Sequence, residues 1–233
     1  MNLALIAAAG KGTRMEREGG KQFLPLAGKP VLAHALIAFQ QASSIDAIVV
    51  VVGDENFDAC LTVVDKYNVV KVDRVVIGGK ERQDSVYSGL LAAAEFAKVD
   101  IVAVHDGARP LIEPGLIDRV ISSVDEDCDG VVVGIPAKDT IKLVRESCVI
   151  DTLDRTATWQ IQTPQAFHFE GLLRAHERAR GEGYYGTDDS VLIERIGGEI
   201  KVIQGSDENI KITTATDLVI AEAILKNRET ENR

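Results

Sequence analysis

Ala7-Ala8-Ala9-Gly10-Lys11-Gly12-Thr13-Arg14-Met15, followed by Lys21-Gln22-Phe23-Leu24-Pro25-Leu26, decides how this chain is read. The apolar run Leu3-Ala4-Leu5-Ile6 before it predicts a short buried strand that begins almost at the first residue. Small residues and glycines then let backbone amides approach a ligand closely, and two cations, Arg14 and Lys21, stand just beyond. Exposed amides beside cations suit a triphosphate, whose charge is spread over many oxygens. The chain reads as one that handles nucleotides.

Two phosphate motifs can be set aside. A Walker A loop needs Gly-x-x-x-x-Gly-Lys-Ser/Thr, and Gly10-Lys11-Gly12-Thr13 lacks that spacing. The dinucleotide fingerprint needs a third small residue where Met15 stands, and an acid roughly 20 residues further on. That region is Lys29-Pro30-Val31-Leu32, with no acid. What remains, Ala-Ala-Gly-x-Gly-x-Arg-Met with a following Lys-Gln, resembles the signature of nucleotidyltransferases acting on sugar and polyol phosphates. Glycines alone would fit a plain strand-to-helix turn; the order Gly10, Gly12, Arg14, Lys21 favours function.

A chain of 233 residues fits one sizeable α/β domain, here read as spanning 1–233. With 26 Lys and Arg against 36 Asp and Glu, the net charge of −10 argues against broad adhesion to nucleic acid or anionic membrane. Cations serving an anionic ligand must therefore be gathered locally. Cys60, Cys128 and Cys148 show no metal-ligand spacing and read as small buried hydrophobes in a reducing cytosol. The N-terminal run is too short for a signal peptide, and no apolar run has the length of a membrane span. The expected location is cytoplasmic, or an organelle stroma after transit-peptide removal in a plastid-bearing source.

Apolar β-branched runs alternate with helical patterns, the sign of a mostly parallel, twisted, Rossmann-like sheet with helices on both faces. Strands are predicted at 47–52, 73–77, 101–105, 130–135 and 200–203. Helices are predicted at 31–41, 55–67, 82–97, 114–124, 169–181, 188–197 and from the Thr214-x-x-Asp217 capping box to 226, with a frayed tail at 227–233. Residues 136–160 break the rhythm. Residues 141–144 and 149–153 predict a β-hairpin around Glu146-Ser147, either an arm gripping a second subunit or a surface excursion. Gln162-Thr163-Pro164-Gln165 reads as a rigid turn supporting the site.

In such a sheet ligands collect at the carboxyl ends of the strands. The first strand delivers Ala8, Ala9, Gly10, Gly12 and Arg14 there. The third delivers Gly78-Gly79-Lys80-Glu81-Arg82-Gln83-Asp84-Ser85, whose glycines suit backbone reading of a base edge beside Ser85. The fourth delivers His105-Asp106-Gly107-Ala108-Arg109-Pro110. Asp106 beside a phosphate loop suits a Mg²⁺ ion, since hard cations choose carboxylate and phosphate oxygens; capping the next helix or pairing with Arg109 are the other readings. His105 reads as a packed, hydrogen-bonded core histidine. Asp188 and Asp189 read as helix caps. Arg155 alone would read as a surface partner of Asp151 or Asp154, and Lys211 as a solvated strand-end residue.

Ala-Ala-Gly-Lys-Gly-Thr-Arg-Met, Lys-Gln-Phe-Leu, Gly-Gly-Lys-Glu-Arg-Gln-Asp-Ser-Val and Val104-His105-Asp106-Gly107-Ala108-Arg109-Pro110 stand in one order along the chain. They are followed by Asp139-Thr140-Ile141-Lys142, Asp154-Arg155, Gln162-Thr163-Pro164-Gln165, Thr187-Asp188-Asp189 and Glu208-Asn209-Ile210-Lys211-Ile212-Thr213. This ordered set resembles the 2-C-methyl-D-erythritol 4-phosphate cytidylyltransferase family of the non-mevalonate isoprenoid pathway over essentially the whole chain. The resemblance implies that CTP and the polyol phosphate give a CDP-alcohol and pyrophosphate, by direct attack of the substrate phosphate on the CTP α-phosphorus. It implies that Arg14, Lys21, Arg155 and Lys211 are catalytic, and that Ala8, Ala9, Gly10, Gly12, Gly79, Arg82, Ser85 and Asp106 bind the nucleotide. Gly107, Arg109, Thr140, Arg155, Thr187 and Lys211 would surround the polyol phosphate, and Asp106 would hold Mg²⁺ or another divalent cation. It further implies a homodimer in which the arm at about 136–160 reaches the neighbouring subunit, so that Thr140 and Arg155 serve the partner's site.

Gly20 stands where the family usually has proline, which would leave the Lys21 loop more mobile when empty, and Ser190 stands where alanine is common. The chain ends soon after its final helix, without the cyclase domain that some relatives append. The nearest rival is a ribitol-5-phosphate cytidylyltransferase of the same fold, whose members tend to have Gly-Gly and Ser-Val where this chain has Ala8-Ala9 and Gly107-Ala108. A dinucleotide-dependent dehydrogenase and a non-catalytic nucleotide-binding regulator are more distant alternatives.

Overall fold

Along β1 (Asn2–Ala8), Leu3 and Leu5 point to one side while Ala4, Ile6 and Ala8 point to the other, and both sets are buried. Alternation on a period of two puts successive side chains on opposite faces of a sheet, so a strand apolar at every position must be covered twice. The computed structural model, which describes residues 1–10 and 20–231, has this two-sided arrangement.

A short hairpin, β2 (Pro25–Leu26) and β3 (Lys29–Pro30), leads into α1 (Val31–Gln41) and β4 (Ala47–Val52). There follow α2 (Phe57–Lys66), β5 (Val72–Ile77), α3 (Arg82–Ala93), β6 (Ile101–Asp106), α4 (Pro114–Ser122) and β7 (Gly130–Pro136). The chain continues through β8 (Lys142–Arg145), β9 (Cys148–Thr152), β10 (Trp159–His168), α5 (Phe169–Gly181), α6 (Ser190–Arg195), β11 (Ile200–Gln204) and α7 (Ala215–Glu231). Seven strands form one sheet in the order β11-β7-β10-β6-β1-β4-β5. Helices α1, α2 and α4 pack on the face of Ala4, Ile6, Val50 and Val131. Helices α3, α5 and α6 pack on the face of Leu3, Leu5, Val49 and Phe167. Leu218, Ala221, Ile224 and Leu225 of α7 close a smaller cluster with Leu26, Val31, Leu111 and Ile212.

The largest departure from expectation is β10. Gln162-Thr163-Pro164-Gln165 is no turn but the middle of a ten-residue strand that runs antiparallel between β6 and β7. The register shifts between Gln162 and Gln165 on the β7 side, around a cis Thr163-Pro164 bond. Proline has no amide to donate, and a bulge accommodates it inside a sheet. Smaller differences concern ends. Helix α3 stops at Ala93, and α7 runs on to Glu231 rather than fraying after residue 226. There Arg228 pairs with Glu208 at 2.7 Å and Glu113 at 3.0 Å, which ties the last turns to the body. The Thr214 and Asp217 side chains exchange bonds with each other's amides, the capping box expected at its start.

The hairpin forms as predicted, as a separate two-stranded sheet of β8 and β9 displaced by about one residue from the expected bounds. Glu146 and Ser147 both take positive φ, 49° and 63°, as a two-residue type I′ turn demands. Its Leu143, Val144, Val149 and Ile150 are 49–59% exposed. Cys60 and Cys128 are buried as expected, but Cys148 lies exposed on β9 because the arm has no second layer over it. No helix among the described residues is long and apolar enough to cross a membrane.

Register fixes the level of the strand tips. Ala8 lies beside Val52, and Ala7 beside Asp106, so β1, β4 and β6 end together. Helix α3 approaches this region closely because Gly89 lets it settle on β1 and β4. A Cβ at Gly89 would fall 2.6 Å from Leu5 Cδ1 and 2.8 Å from Val51 Cγ2. Gly89→Val is therefore expected to lower stability by about 1–3 kcal/mol through overpacking. Thermal melting of the variant checks this, and an unchanged Tm would contradict so close an approach.

Candidate active site

Segments distant in the chain converge where the strand tips meet. A cleft of about 760 Å³ is lined by Ala8, Ala9 and Gly10 after β1, by Lys21 and Gln22, by Gly78 through Arg82 and Ser85 after β5, and by Asp106, Ala108 and Lys211. It sits where the connections leave β1 in opposite directions, β4 on one side and β6 on the other. Such a crevice at the carboxyl ends is where open α/β sheets bind ligands. The amino end of α3 opens into it, with the Glu81 and Asp84 side chains capping each other's amides and leaving those of Arg82 and Gln83 at the positive end of the helix dipole.

Asp106, at the end of β6, is the electrostatic centre. Its Oδ1 accepts from Arg82 Nε at 3.1 Å, and its Oδ2 lies 2.7 Å from Lys211 Nζ and 3.9 Å from Arg109 Nε. Burial pushes its pKa up, but Arg82, Lys211 and Arg109 pull it down further, so it stays well below the usual carboxylate range. Arg82 also pairs with Asp189 Oδ2 at 2.8 Å, which raises its own pKa in spite of burial. Three cations thus surround two carboxylates, and the group keeps a net positive charge for an anionic ligand.

The frame behind Asp106 is built from buried hydrogen bonds. Thr163 Oγ1 accepts from the Asp106 amide at 3.1 Å and lies 3.0 Å from His105 Nδ1, while His105 Nε2 lies 3.1 Å from the Arg109 carbonyl. These partners suit a neutral ring protonated on Nε2, taking the threonine proton on Nδ1. Burial is the main cause that lowers the His105 pKa to about 4. Asn209 donates to the Thr163 carbonyl at 2.9 Å, and its own carbonyl accepts from Arg109 Nη1 at 2.7 Å. The Ile212 amide donates to Ala108 O at 2.8 Å, and this seats Lys211 over Asp106. Gln22, 2% exposed, donates to the Ala8 carbonyl and so ties the turn carrying Lys21 to the tip of β1. Gly20 takes φ +76°, which the ring of proline forbids, so this backbone is closed to the proline common at that place.

Of the residues singled out from sequence, Ala8, Ala9, Gly10, Lys21, Gly79, Arg82, Ser85, Asp106 and Lys211 line the cleft. Gly107 and Arg109 lie just behind it, the Gly107 amide bonded to Ala7 O at 2.9 Å. Gly12 and Arg14 fall outside the described residues. Thr140, Arg155 and Thr187 are exposed and do not line the cleft of their own chain, because the first two belong to the arm segment and the third to the loop before α6. Arg155 makes no ion pair with Asp151 or Asp154, which instead bond their own neighbouring amides at Thr152 and Thr156. Asp188 caps α6 as expected, accepting from the Val191 amide at 3.2 Å and from Ser190 Oγ. Asp189 does not cap; it is 1% exposed and lies 3.2 Å from His176 Nε2. The sequence reading missed the placing roles of Thr163, Asn209, His176 and Asp189, all polar and 5% exposed or less. Three of the ordered motifs contain Thr163, Asn209 and Asp189, and the one with Thr163 reads as supporting the site, but nothing in the sequence points to His176.

A family model described as 2-C-methyl-D-erythritol 4-phosphate cytidylyltransferase matches residues 2–227. A curated protein of that name from Pelotomaculum thermopropionicum is 47% identical over 229 residues, 97% of this chain and 94% of the relative. Another from Syntrophotalea carbinolica is 48% identical over 223 residues, 95% of this chain and 94% of the relative. Among solved structures, a 4-diphosphocytidyl-2C-methyl-D-erythritol synthase from Anaerococcus prevotii aligns with a TM-score of 0.84 at 30% identity, over 97% of this chain and 96% of that one.

His105 makes a pH prediction. Its folded pKa of about 4 lies below the ordinary 6.5, so the stability tied to its neutral form is complete above pH 6.5 and lost as pH falls toward 4. Over that window the loss is about 3 kcal/mol at 1.36 kcal/mol per pH unit. Urea unfolding at pH 7, 5.5 and 4 should show it. In His105→Gln, which has no group titrating there, that part of the slope should vanish.

Proposed function

We infer, from the premise that this chain belongs to the 2-C-methyl-D-erythritol 4-phosphate cytidylyltransferase family, that the Asp106-centred cleft is where its reaction takes place. The enzyme converts CTP and 2-C-methyl-D-erythritol 4-phosphate into 4-diphosphocytidyl-2-C-methyl-D-erythritol and pyrophosphate. The observation that carries the assignment is the convergence of Ala8–Gly10 backbone, Lys21, Arg82, Asp106 and Lys211, from five stretches of the chain, around one cleft.

A phosphate monoester is already largely anionic at neutral pH, so the attacking oxygen needs no strong base. The work lies in placement and in offsetting charge as the α-phosphorus becomes five-coordinate. In this reading the amides of Ala8, Ala9 and Gly10 receive the triphosphate, a role the family resemblance also gives Gly12. Gly79, Ser85 and Arg82 hold the nucleoside end near the amino terminus of α3. Lys21 faces the departing pyrophosphate and the charge that builds before it leaves, a role the family resemblance also gives Arg14. Lys211 receives the attacking phosphate, with Gly107 and Arg109 on the polyol side, and Thr187, outside the cleft lining, would have to reach the polyol from the loop before α6.

A divalent ion fits this site only as a passenger on the nucleotide. Asp106 is one carboxylate with two close cations, and no group of three or more His, Cys, Asp or Glu among the described residues could hold a metal. Mg²⁺ keeps several waters and is commonly held by one or two carboxylates plus substrate phosphates, and Asp106, whose oxygens face Arg82 and Lys211, would have to supply that carboxylate in competition with them. When bound there, the ion would neutralise phosphate charge beside Asp106.

We propose further that the whole chain acts as one domain, in a homodimer, with a cytoplasmic location like that expected of its bacterial relatives. The arm supports the dimer: Leu143, Val144, Val149 and Ile150 expose apolar surface that a lone chain leaves uncovered. Thr140 and Arg155 would then serve the partner's cleft, in keeping with their distance from their own.

Pyrophosphate release from CTP with Mg²⁺ tests the chemistry. It is expected with 2-C-methyl-D-erythritol 4-phosphate and absent with ribitol 5-phosphate. Lys21→Ala should lower turnover by roughly 10²–10³-fold with little change in Tm, by analogy with removing one transition-state donor; near-normal turnover would remove Lys21 from the mechanism. Mixing Arg155→Ala subunits with Lys21→Ala subunits tests the arm. Activity regained on mixing supports service in trans, and no recovery places Arg155 in its own subunit's site.

A further inference from the structure

Arg82 occupies an unfavourable place for a cation. It is the first residue of α3, at the positive end of the helix dipole, and its long side chain has much rotamer freedom to lose. Two carboxylates from other elements hold it. Asp106 at the end of β6 bonds its Nε at 3.1 Å, and Asp189 before α6 lies 2.8 Å from its Nη1. Asp189 is the more deeply buried, at 1% exposure, and burying a carboxylate costs several kcal/mol unless it is well paired. Its other oxygen lies 3.2 Å from His176 Nε2 on α5, itself fully buried. The capping task at α6 belongs to Asp188, so local helix geometry gives no reason for Asp189 to turn inward.

We propose that Asp189, held by His176, is a positioning residue that aims Arg82 into the nucleotide cleft and keeps it from closing wholly onto Asp106. The chain of contacts runs from His176 through Asp189 and Arg82 to Asp106 and Lys211, and so joins the α5–α6 layer to the strand tips. Burial raises the pKa of Asp189, but Arg82 and His176 outweigh it, so the carboxylate stays charged as the role requires. Without Asp189, Arg82 keeps one anchor and closes onto Asp106, which it shares with Lys211 and Arg109. The proposal rests on the assignment of Arg82 to the nucleotide side of the cleft.

A double-mutant cycle on pyrophosphate release, with CTP varied at saturating 2-C-methyl-D-erythritol 4-phosphate, tests it. Asp189→Asn keeps size and removes charge, and is expected to lower kcat/KM for CTP about tenfold or more while KM for the polyol phosphate stays within twofold. In an Arg82→Ala background the same substitution should cost almost nothing further, because the group it aims is gone. Losses that multiply in the double variant, or a folded Asp189→Asn enzyme with normal CTP kinetics, would overturn the proposal while leaving Arg82 in place. Normal CTP kinetics in Arg82→Ala alone would overturn the assignment of Arg82, and the proposal with it. Should Asp189→Asn fail to melt cooperatively, His176→Leu replaces it in the cycle. A rise in KM for CTP confined to the Arg82 background supports the relay, and an equal rise in both backgrounds overturns it.

Discussion

The Asp106 carboxylate is the reference point for the charged groups of this protein. It ends β6, so its position is set by a strand hydrogen-bonded on both sides, to β1 and to β10. Arg82 and Lys211 reach it from segments about 130 residues apart in the chain, and it is the carboxylate they share. A buried ion pair of this kind adds little net stability, because desolvation offsets the Coulomb gain. What it adds is geometry: each cation is held in one place above the strand tips. Within this cluster three cations, Arg82, Arg109 and Lys211, face two carboxylates, Asp106 and Asp189, in a chain whose net charge is −10.

The sheet supplies the rigidity that this cluster needs. Strand β10 matters most, because it brings Thr163 beneath the Asp106 amide and the His105 ring, and offers the Thr163 carbonyl to Asn209. Through Asn209 the same strand places Arg109 and the segment carrying Lys211. A few neutral hydrogen bonds, each modest in net free energy, therefore fix the directions of several charges. Left unpaired in so buried a place, each would cost more than it contributes when made. The arm obeys the opposite rule: little covers it, and its apolar residues face outward.

Much of this was legible in the sequence, for particular reasons. The alternating faces of β1, the all-apolar β4 and the glycine-rich exits from β1 and β5 carry their own local signal, so the Rossmann-like class and most of the cleft lining followed from them. Ala8, Ala9, Gly10, Lys21, Gly79, Arg82, Ser85, Asp106 and Lys211 meet as expected. Strand β10 did not declare itself, because Gln162-Thr163-Pro164-Gln165 carries turn residues in its middle. A polar strand with a proline reads as a strand only once its neighbours β6 and β7 are known to need one between them.

The two aspartates after Thr187 mark the boundary between the two kinds of information. Their sequence permits two caps, and only packing of α3, α5 and α6 assigns the first to the helix end and the second to a buried contact with Arg82 and His176. The sequence by itself determined the layers, the family and the residue types at the site, since hydrophobic period and motif order are local properties of the chain. The tertiary structure alone decided which charges share a carboxylate, and which exposed groups stay away from their own cleft. Those are distances between segments far apart in the chain, and nothing in the local pattern of either segment encodes them.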